Sequence, residues 1–176
     1  MDCKLIKIQK FDKKHLEEIY KWTKNEKNSE LFTCRPVKKY YEFDTYYDNI
    51  IRIINKNIWL YGFFIDNKLI GKIFYFDYNK RNRSVEFGYY LPEINRKKGY
   101  GSIMIEKFLK ELFLDDKLGI NKIYATTGSF NKASIKLLEK SNFILDGKLR
   151  EHYWIGDAKY DQCIYSLLRK EYFERR

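Results

Sequence analysis

Between Phe43 and Ile58 the period of the apolar residues changes, and that change most limits what the chain can fold into. Phe43, Tyr46, Tyr47, Ile50, Ile51 and Ile54 recur every three to four residues over three turns, the mark of an amphipathic helix. Asn55-Lys56-Asn57 ends it. Ile58 to Ile65 and Leu69 to Tyr78 are then dense in Ile and aromatics, with turn chemistry at Asp66-Asn67-Lys68 between them. That reads as a hairpin. After a polar turn from Asn79 to Arg83, Ser84 to Leu91 alternates, with Val85, Phe87, Tyr89 and Leu91 on one face and Glu86, Gly88 and Tyr90 on the other.

The rest of the chain follows the same two periods. Cys3 to Ile8 reads as a first strand, and Asp12 as the N-cap of a helix bearing Leu16, Ile19, Tyr20 and Thr23. A long helix runs from Gly101 to about Lys117, buried through Ile105, Phe108, Leu109, Leu112 and Phe113. Lys122 to Thr127 is a short strand, and Asn131 opens a helix ending near Ser141-Asn142. Phe143 to Trp154 and Tyr160 to Leu168 are two last strands around Gly156-Asp157. The order βααβββαβαββ mixes hairpins with crossover helices. It implies an α/β (α+β) fold, a mixed, mostly antiparallel central sheet flanked by helices. No linker or repeat divides residues 1–176, so a single domain is expected.

Composition narrows the classes of function. Apolar residues make up 44% of the chain, enough for a sizeable core. No apolar run is long enough to span a membrane, and Met1 to Ile6 lacks the core of a secretion signal; a cytoplasmic protein is the expectation. Cys3, Cys34 and Cys163 are far apart and, with only two histidines, suggest reduced thiols and no metal site. The net charge of +11 favours anionic partners. The aromatics fall at buried periods, so no specific nucleic acid is expected. Oligomeric state is open, a homodimer included.

Chemistry concentrates between Tyr89 and Ser102. Here a strand runs into Arg96-Lys97-Lys98-Gly99-Tyr100-Gly101-Ser102, a basic turn with two glycines that opens a helix. Unpaired N–H groups at a helix start and glycines that admit close approach make a nest for a pyrophosphate. The side chains of Arg96, Lys97 and Lys98 would add charge at its rim. The same pattern also fits an ordinary strand-to-helix turn with a solvated basic patch.

These residues resemble the GNAT N-acetyltransferase superfamily. Its acyl-CoA signature, Arg/Gln-x-x-Gly-x-Gly/Ala, reads Arg96-Lys97-Lys98-Gly99-Tyr100-Gly101. Glu86 to Pro92 looks like the fourth strand of that fold. A second motif, Asn-x-x-Ser/Ala-x-x-Leu leading to Phe, reads Asn131 to Leu137 with Phe143. The tail, Gly147 to Glu151 followed by Gly156, Tyr160 and Asp161, is similar to the RimJ/RimL-like branch.

The resemblance implies an N-acetyltransferase that uses acetyl-CoA as co-substrate, without a metal, on an amine acceptor by direct attack. A non-catalytic acyl-CoA sensor is the alternative. Backbone N–H groups near Tyr89, Tyr90 and Leu91 are candidates for the carbonyl oxygen, with a bulge at Gly88 to aim them. Glu86 is the candidate base, a partly desolvated carboxylate, or else a structural one. Asn131 matches the pantetheine-binding Asn of the family and is equally a helix N-cap. Lys136 and Lys140 can meet the 3′-phosphate. Where many members have a Tyr acid, this chain has Leu138. Ser134, Tyr153 and a water are the contenders for that role, and His152 reads as surface. Trp22, Tyr40, Tyr41 and Tyr47 are expected in the acceptor wall.

Overall fold

A computed structural model describes residues 2–9, 12–27, 29–33, 35 and 38–174; Cys34 and Pro36 lie outside them. The elements are β1 (Cys3–Lys7), α1 (Lys13–Asn25), α2 (Phe43–Ile53), β2 (Ile58–Ile65), β3 (Lys68–Asn79), β4 (Ser84–Tyr90), α3 (Tyr100–Leu114), β5 (Lys122–Gly128), α4 (Lys132–Lys140), β6 (Ile144–Ile155), β7 (Ala158–Leu168) and α5 (Arg169–Glu174). Short 3₁₀ turns occupy Ser29–Phe32 and Glu93–Asn95.

The seven strands form one sheet in the order β1-β2-β3-β4-β5-β7-β6. Every pairing is antiparallel except β4 with β5. The mixed, mostly antiparallel sheet expected from the periods is therefore present.

Each face of the sheet has its own core. Tyr61, Phe63, Ile73, Tyr75, Val85 and Phe87 pack beneath α3, while Leu60, Phe64 and Leu69 pack beneath α1 and α2. This is why β2 is buried on both faces from Leu60 to Ile65, although a strand with one wet face would alternate. Met104, Ile105, Phe108, Leu109, Leu112 and Phe113 of α3 are all within 1% of complete burial. Each contributes roughly 1.5–3 kcal/mol by leaving water.

Three details depart from the sequence reading. The long helix stops at Leu114, because Asp115 Oδ1 accepts from the N–H groups of Lys117 and Leu118 and turns the chain away. Asp12 stands at the N-cap of α1, but its carboxylate accepts from Gln9 N–H at 2.7 Å and bonds to no helix N–H. The unexpected α5 is too short for a periodic signal; buried Tyr172 anchors it on Phe113, ring centroids 5.1 Å apart. Among the described residues no helix is long and apolar enough to cross a membrane.

Candidate active site

β4 and β5 part company halfway along. They pair in parallel only at Ser84–Lys122, Val85–Ile123 and Glu86–Tyr124. Beyond that, β4 stays with β3 up to Tyr90, and β5 stays with β7 to Gly128. Lys122 N–H donates to the Arg83 carbonyl at 3.1 Å, so the odd-numbered residues of β4 turn their backbone groups toward β5. Tyr89 N–H therefore faces the gap, with no β5 residue paired opposite among the described residues; Tyr90, expected beside it, pairs with Lys72 and turns its backbone toward β3. Leu91, just past the strand, uses its carbonyl to accept from Arg96 Nε at 2.8 Å.

The expected bulge at Gly88 is absent. Gly88 pairs in regular register with Phe74, and a Cβ there would lie 2.6 Å from the Phe74 ring. The glycine makes room for that ring.

At the mouth of the gap, Lys97 (φ +61°) and Gly99 (φ +78°) are both left-handed, and Gly99 is the N-cap of α3. The backbone N–H groups of Lys97, Lys98, Gly99, Tyr100 and Gly101 have no acceptor among the described residues. Left-handed residues alternating with others turn successive N–H groups to one side, the geometry of an anion nest. The α3 macrodipole adds to it. Lys97 and Lys98 are exposed beside it, and Ser102 is the third residue of α3.

Two residues of the motif do other work than expected. Gly101 faces α4, where a Cβ would lie 2.8 Å from Leu137 Cδ2, so its bareness lets the two helices approach. Arg96 does not add free charge to the rim. Its guanidinium donates to Glu26 Oε2 at 2.7 Å and lies over the rings of Phe32 and Tyr90.

The α3 face of the gap carries Tyr89 and Ser134. Their hydroxyl oxygens are 2.7 Å apart. Ser134 is placed by the N-cap of α4, since Asn131 Oδ1 accepts from Ser134 N–H at 3.1 Å. Burial pushes the Tyr89 phenol up to about 12, against a smaller lowering by the Ser134 bond. Leu138, where the resemblance leads one to expect a tyrosine, is completely buried in the core.

The opposite face carries Glu86, which is 7% exposed. Its burial is as expected, and both of its oxygens are bonded. Oε1 accepts from Thr126 Oγ1 at 2.9 Å, and Oε2 from Arg35 Nη2 at 2.9 Å. The same Arg35 nitrogen donates to Asp77 Oδ2 at 3.0 Å, and the guanidinium lies over Phe76 at 4.6 Å. Further along this face, Tyr90 donates to Glu26 Oε2 at 2.9 Å and packs with Trp22 and Phe32. Burial and the Glu26 bond raise its phenol to about 12. Partly buried Lys72 stands over the Tyr90 ring, lowered to about 8 by burial.

Sequence reading missed Arg35, Asp77, Thr126 and Glu26. Thr126 was findable, since it shares a face with Tyr124, the register partner of Glu86. Arg35 and Glu26 arrive from distant segments with no local signal, while Asp77 comes from β3, one hairpin away.

Of the remaining expectations, Tyr153 is buried on β6 against Phe130 and pairs with Tyr160. β7 stands between its strand and the gap, so it is not gathered with Glu86, Tyr89 and Ser134. His152 is exposed, as are Lys136 and Lys140 on α4. Trp22 reaches the site, and Tyr40 and Tyr41 line a cavity beside α1. Tyr47 packs instead on Phe43 and Lys13. Among the described residues no His, Cys, Asp and Glu side chains gather in threes to hold a metal ion.

The family described as Acetyltransferase (GNAT) domain matches residues 6–144. The prophage-derived uncharacterized N-acetyltransferase YokL of Bacillus subtilis is 38% identical over 109 residues, 61% of this chain and 59% of YokL. The putative ribosomal N-acetyltransferase YdaF of the same organism is 26% identical over 63% of this chain and 60% of its own. The chain thus aligns with somewhat over half the length of these curated relatives. Spermidine N-acetyltransferase from Vibrio cholerae, solved with CoA and spermine, superposes with a TM-score of 0.83 at 22% identity, covering 97% of this chain and 98% of that one. At that identity the likeness is one of fold.

Proposed function

We propose that this chain, which belongs to the GNAT acetyltransferase family, transfers the acetyl group of acetyl-CoA to a primary amine by direct attack. The observation that carries this reading is the gap between β4 and β5. It has an anion nest at its mouth, a backbone N–H and a protonated phenol on one side, and a buried carboxylate on the other.

When bound, acetyl-CoA supplies an activated thioester carbonyl. The N–H groups of Lys97 to Gly101 take its pyrophosphate, with Lys97, Lys98 and the Ser102 region around them, and Asn131 and Ser134 flank the pantetheine arm. Lys136, exposed on α4, is within the set that meets the 3′-phosphate. The residues fit such a ligand because the nest is preformed and its N–H groups are uncommitted.

The Tyr89 N–H donates to the carbonyl oxygen as charge develops there. Glu86 receives the proton that the ammonium form of the acceptor must lose. Arg35 already holds Oε2, so the route through a water suits this arrangement better than direct contact. The new C–N bond forms as the C–S bond breaks. The departing sulfur takes a proton from the Tyr89–Ser134 pair, which regains one from the attacking nitrogen through solvent. A phenol held near 12 is fully protonated at neutral pH, as an acid requires.

Leu138 favours a second reading, a module that binds acyl-CoA without turnover, since no proton donor stands at that position. The Tyr89–Ser134 pair weighs against it by supplying one. For the acceptor, a protein N-terminus is supported by the likeness to YdaF and the RimJ/RimL-like tail. A small amine such as an amino sugar is supported by the aromatic wall of Trp22, Phe32 and Tyr90. Release of CoA thiol from acetyl-CoA on mixing with a panel of amines tests the reading. Turnover of one amine supports it, and saturable CoA binding with no turnover on any supports the sensor.

A further inference from the structure

A cavity of about 220 Å³ opens between α1 and the segment leading to α2. Lys24, Lys27, Lys38 and Lys39 converge on it, with Ser29 and Tyr41. From this we propose that it receives a phosphate-bearing part of the acceptor, so that the substrate is an amine that also carries a strong anion. The proposal rests on the N-acetyltransferase reading above and narrows its substrate class.

Charge leads to this conclusion. The cavity has four ammonium groups and one carboxylate, Glu26, which already accepts from Arg96 and Tyr90. Lys24 Nζ donates to a neutral group, the Tyr41 carbonyl, at 3.0 Å. Lys27 and Lys38 make no hydrogen bond or ion pair among the described residues. A concave site lined mainly by one sign of charge focuses its field on counter-charge. The Tyr41 side chain, 76% exposed at the rim, offers a flat ring to a sugar or base beside the phosphate.

The acceptor side of the sheet shows the converse. Glu86 and Asp77 both hold Arg35, and Glu26 holds Arg96. These carboxylates are committed to guanidinium groups, so a second ammonium on a polycationic amine meets no free partner in them. Lys72, over the Tyr90 ring, forms no ion pair among the described residues.

The cavity and the reacting centre share walls. Glu26 lines the cavity and accepts from Tyr90, which lies on the same face of β4 as Glu86. The 3₁₀ turn Ser29–Phe32 gives Ser29 to the cavity and Phe32 to the Tyr90 ring. Four residues of strand separate Tyr90 from Glu86, about 13 Å.

The test uses the whole chain saturated with CoA, so that the nest at α3 is already filled. Titration with inorganic pyrophosphate should then show a second saturable event, weakened at least tenfold in the Lys27→Gln/Lys38→Gln variant, with CoA affinity within twofold of wild type. In turnover, the same variant should lose at least tenfold in kcat/KM for UDP-glucosamine and stay within twofold for glucosamine. Absence of the second event, its indifference to the double substitution, or preferred turnover of spermidine would overturn the proposal. Failure to bind CoA in the first step would count against the acetyltransferase reading; normal CoA binding without a pyrophosphate event would count against the anion site alone.

Discussion

The phenol of Tyr89 and the hydroxyl of Ser134 meet at 2.7 Å across the place where β4 and β5 separate. One comes from a strand, the other from the first turn of α4, and Asn131 fixes the second. In the reading proposed above the pair is the proton donor, in a chain that has Leu138 where the family resemblance leads one to expect a tyrosine. Tyr89→Phe should therefore lower kcat by roughly 10²-fold, the lower range for loss of a general acid. CoA affinity should stay within twofold by calorimetry. An acetyl thioester of a more acidic thiol, which departs without help, should recover part of the loss. Equal losses on both thioesters would remove Tyr89 from the acid role.

Glu86→Gln keeps the shape of the side chain and removes its charge. It should lower the rate of thiol release at least tenfold while CoA binding holds. Because Arg35 bridges Glu86 and Asp77, Arg35→Gln and Glu86→Gln should be non-additive in a double-mutant cycle, with a coupling of 0.5 kcal/mol or more. Simple additivity would show that the bridge does not influence the reaction.

The two glycines of the basic turn should fail in different ways. Gly99→Ala meets no atom within 4 Å but must hold φ +78°, at a cost of about 1–2 kcal/mol. Its main effect should be weaker CoA binding as the nest loosens. Gly101→Ala places a Cβ 2.8 Å from Leu137 and should cost about 1–3 kcal/mol of stability. Leu137→Ala should offset part of the Gly101 defect and none of the Gly99 defect, as read by urea unfolding.

Lys72 is lowered to about 8 by burial, below its ordinary 10.5. The folded protein thus disfavours the ammonium form. That penalty is fully present below pH 8 and fades as pH rises toward 10.5, where the unfolded chain also loses the proton. Lys72→Met should raise the melting temperature at pH 7 by about 2–4 °C, equivalent to roughly 1 kcal/mol for a chain of this size. The gain should shrink by pH 10. A gain independent of pH would point to packing instead of charge.

Much of the fold was legible because its signals are local. The helical stripe of Phe43 to Ile54 and the alternation of Val85, Phe87 and Tyr89 report directly which face each element buries. The glycine turn that opens α3 was legible for the same reason, since Gly99, Tyr100 and the start of the helix are consecutive. The surroundings of Glu86 were not. Arg35 reaches it from 51 residues away, and Asp77, on the neighbouring strand, is tied to it only through Arg35. The jobs of Gly88 and Gly101 were misread because a bare glycine in a sequence does not say what fills the space. Phe74 and Leu137 do so here.

The central claim is that the gap between β4 and β5 binds acetyl-CoA and transfers its acetyl group. Calorimetric titration of the protein with acetyl-CoA, followed by thiol release against a panel of amines, tests it most directly. Saturable one-site binding, weakened in Gly99→Ala, with thiol release on an amine and loss of that release in Tyr89→Phe, is the predicted result. No binding of acetyl-CoA by the folded protein would contradict it.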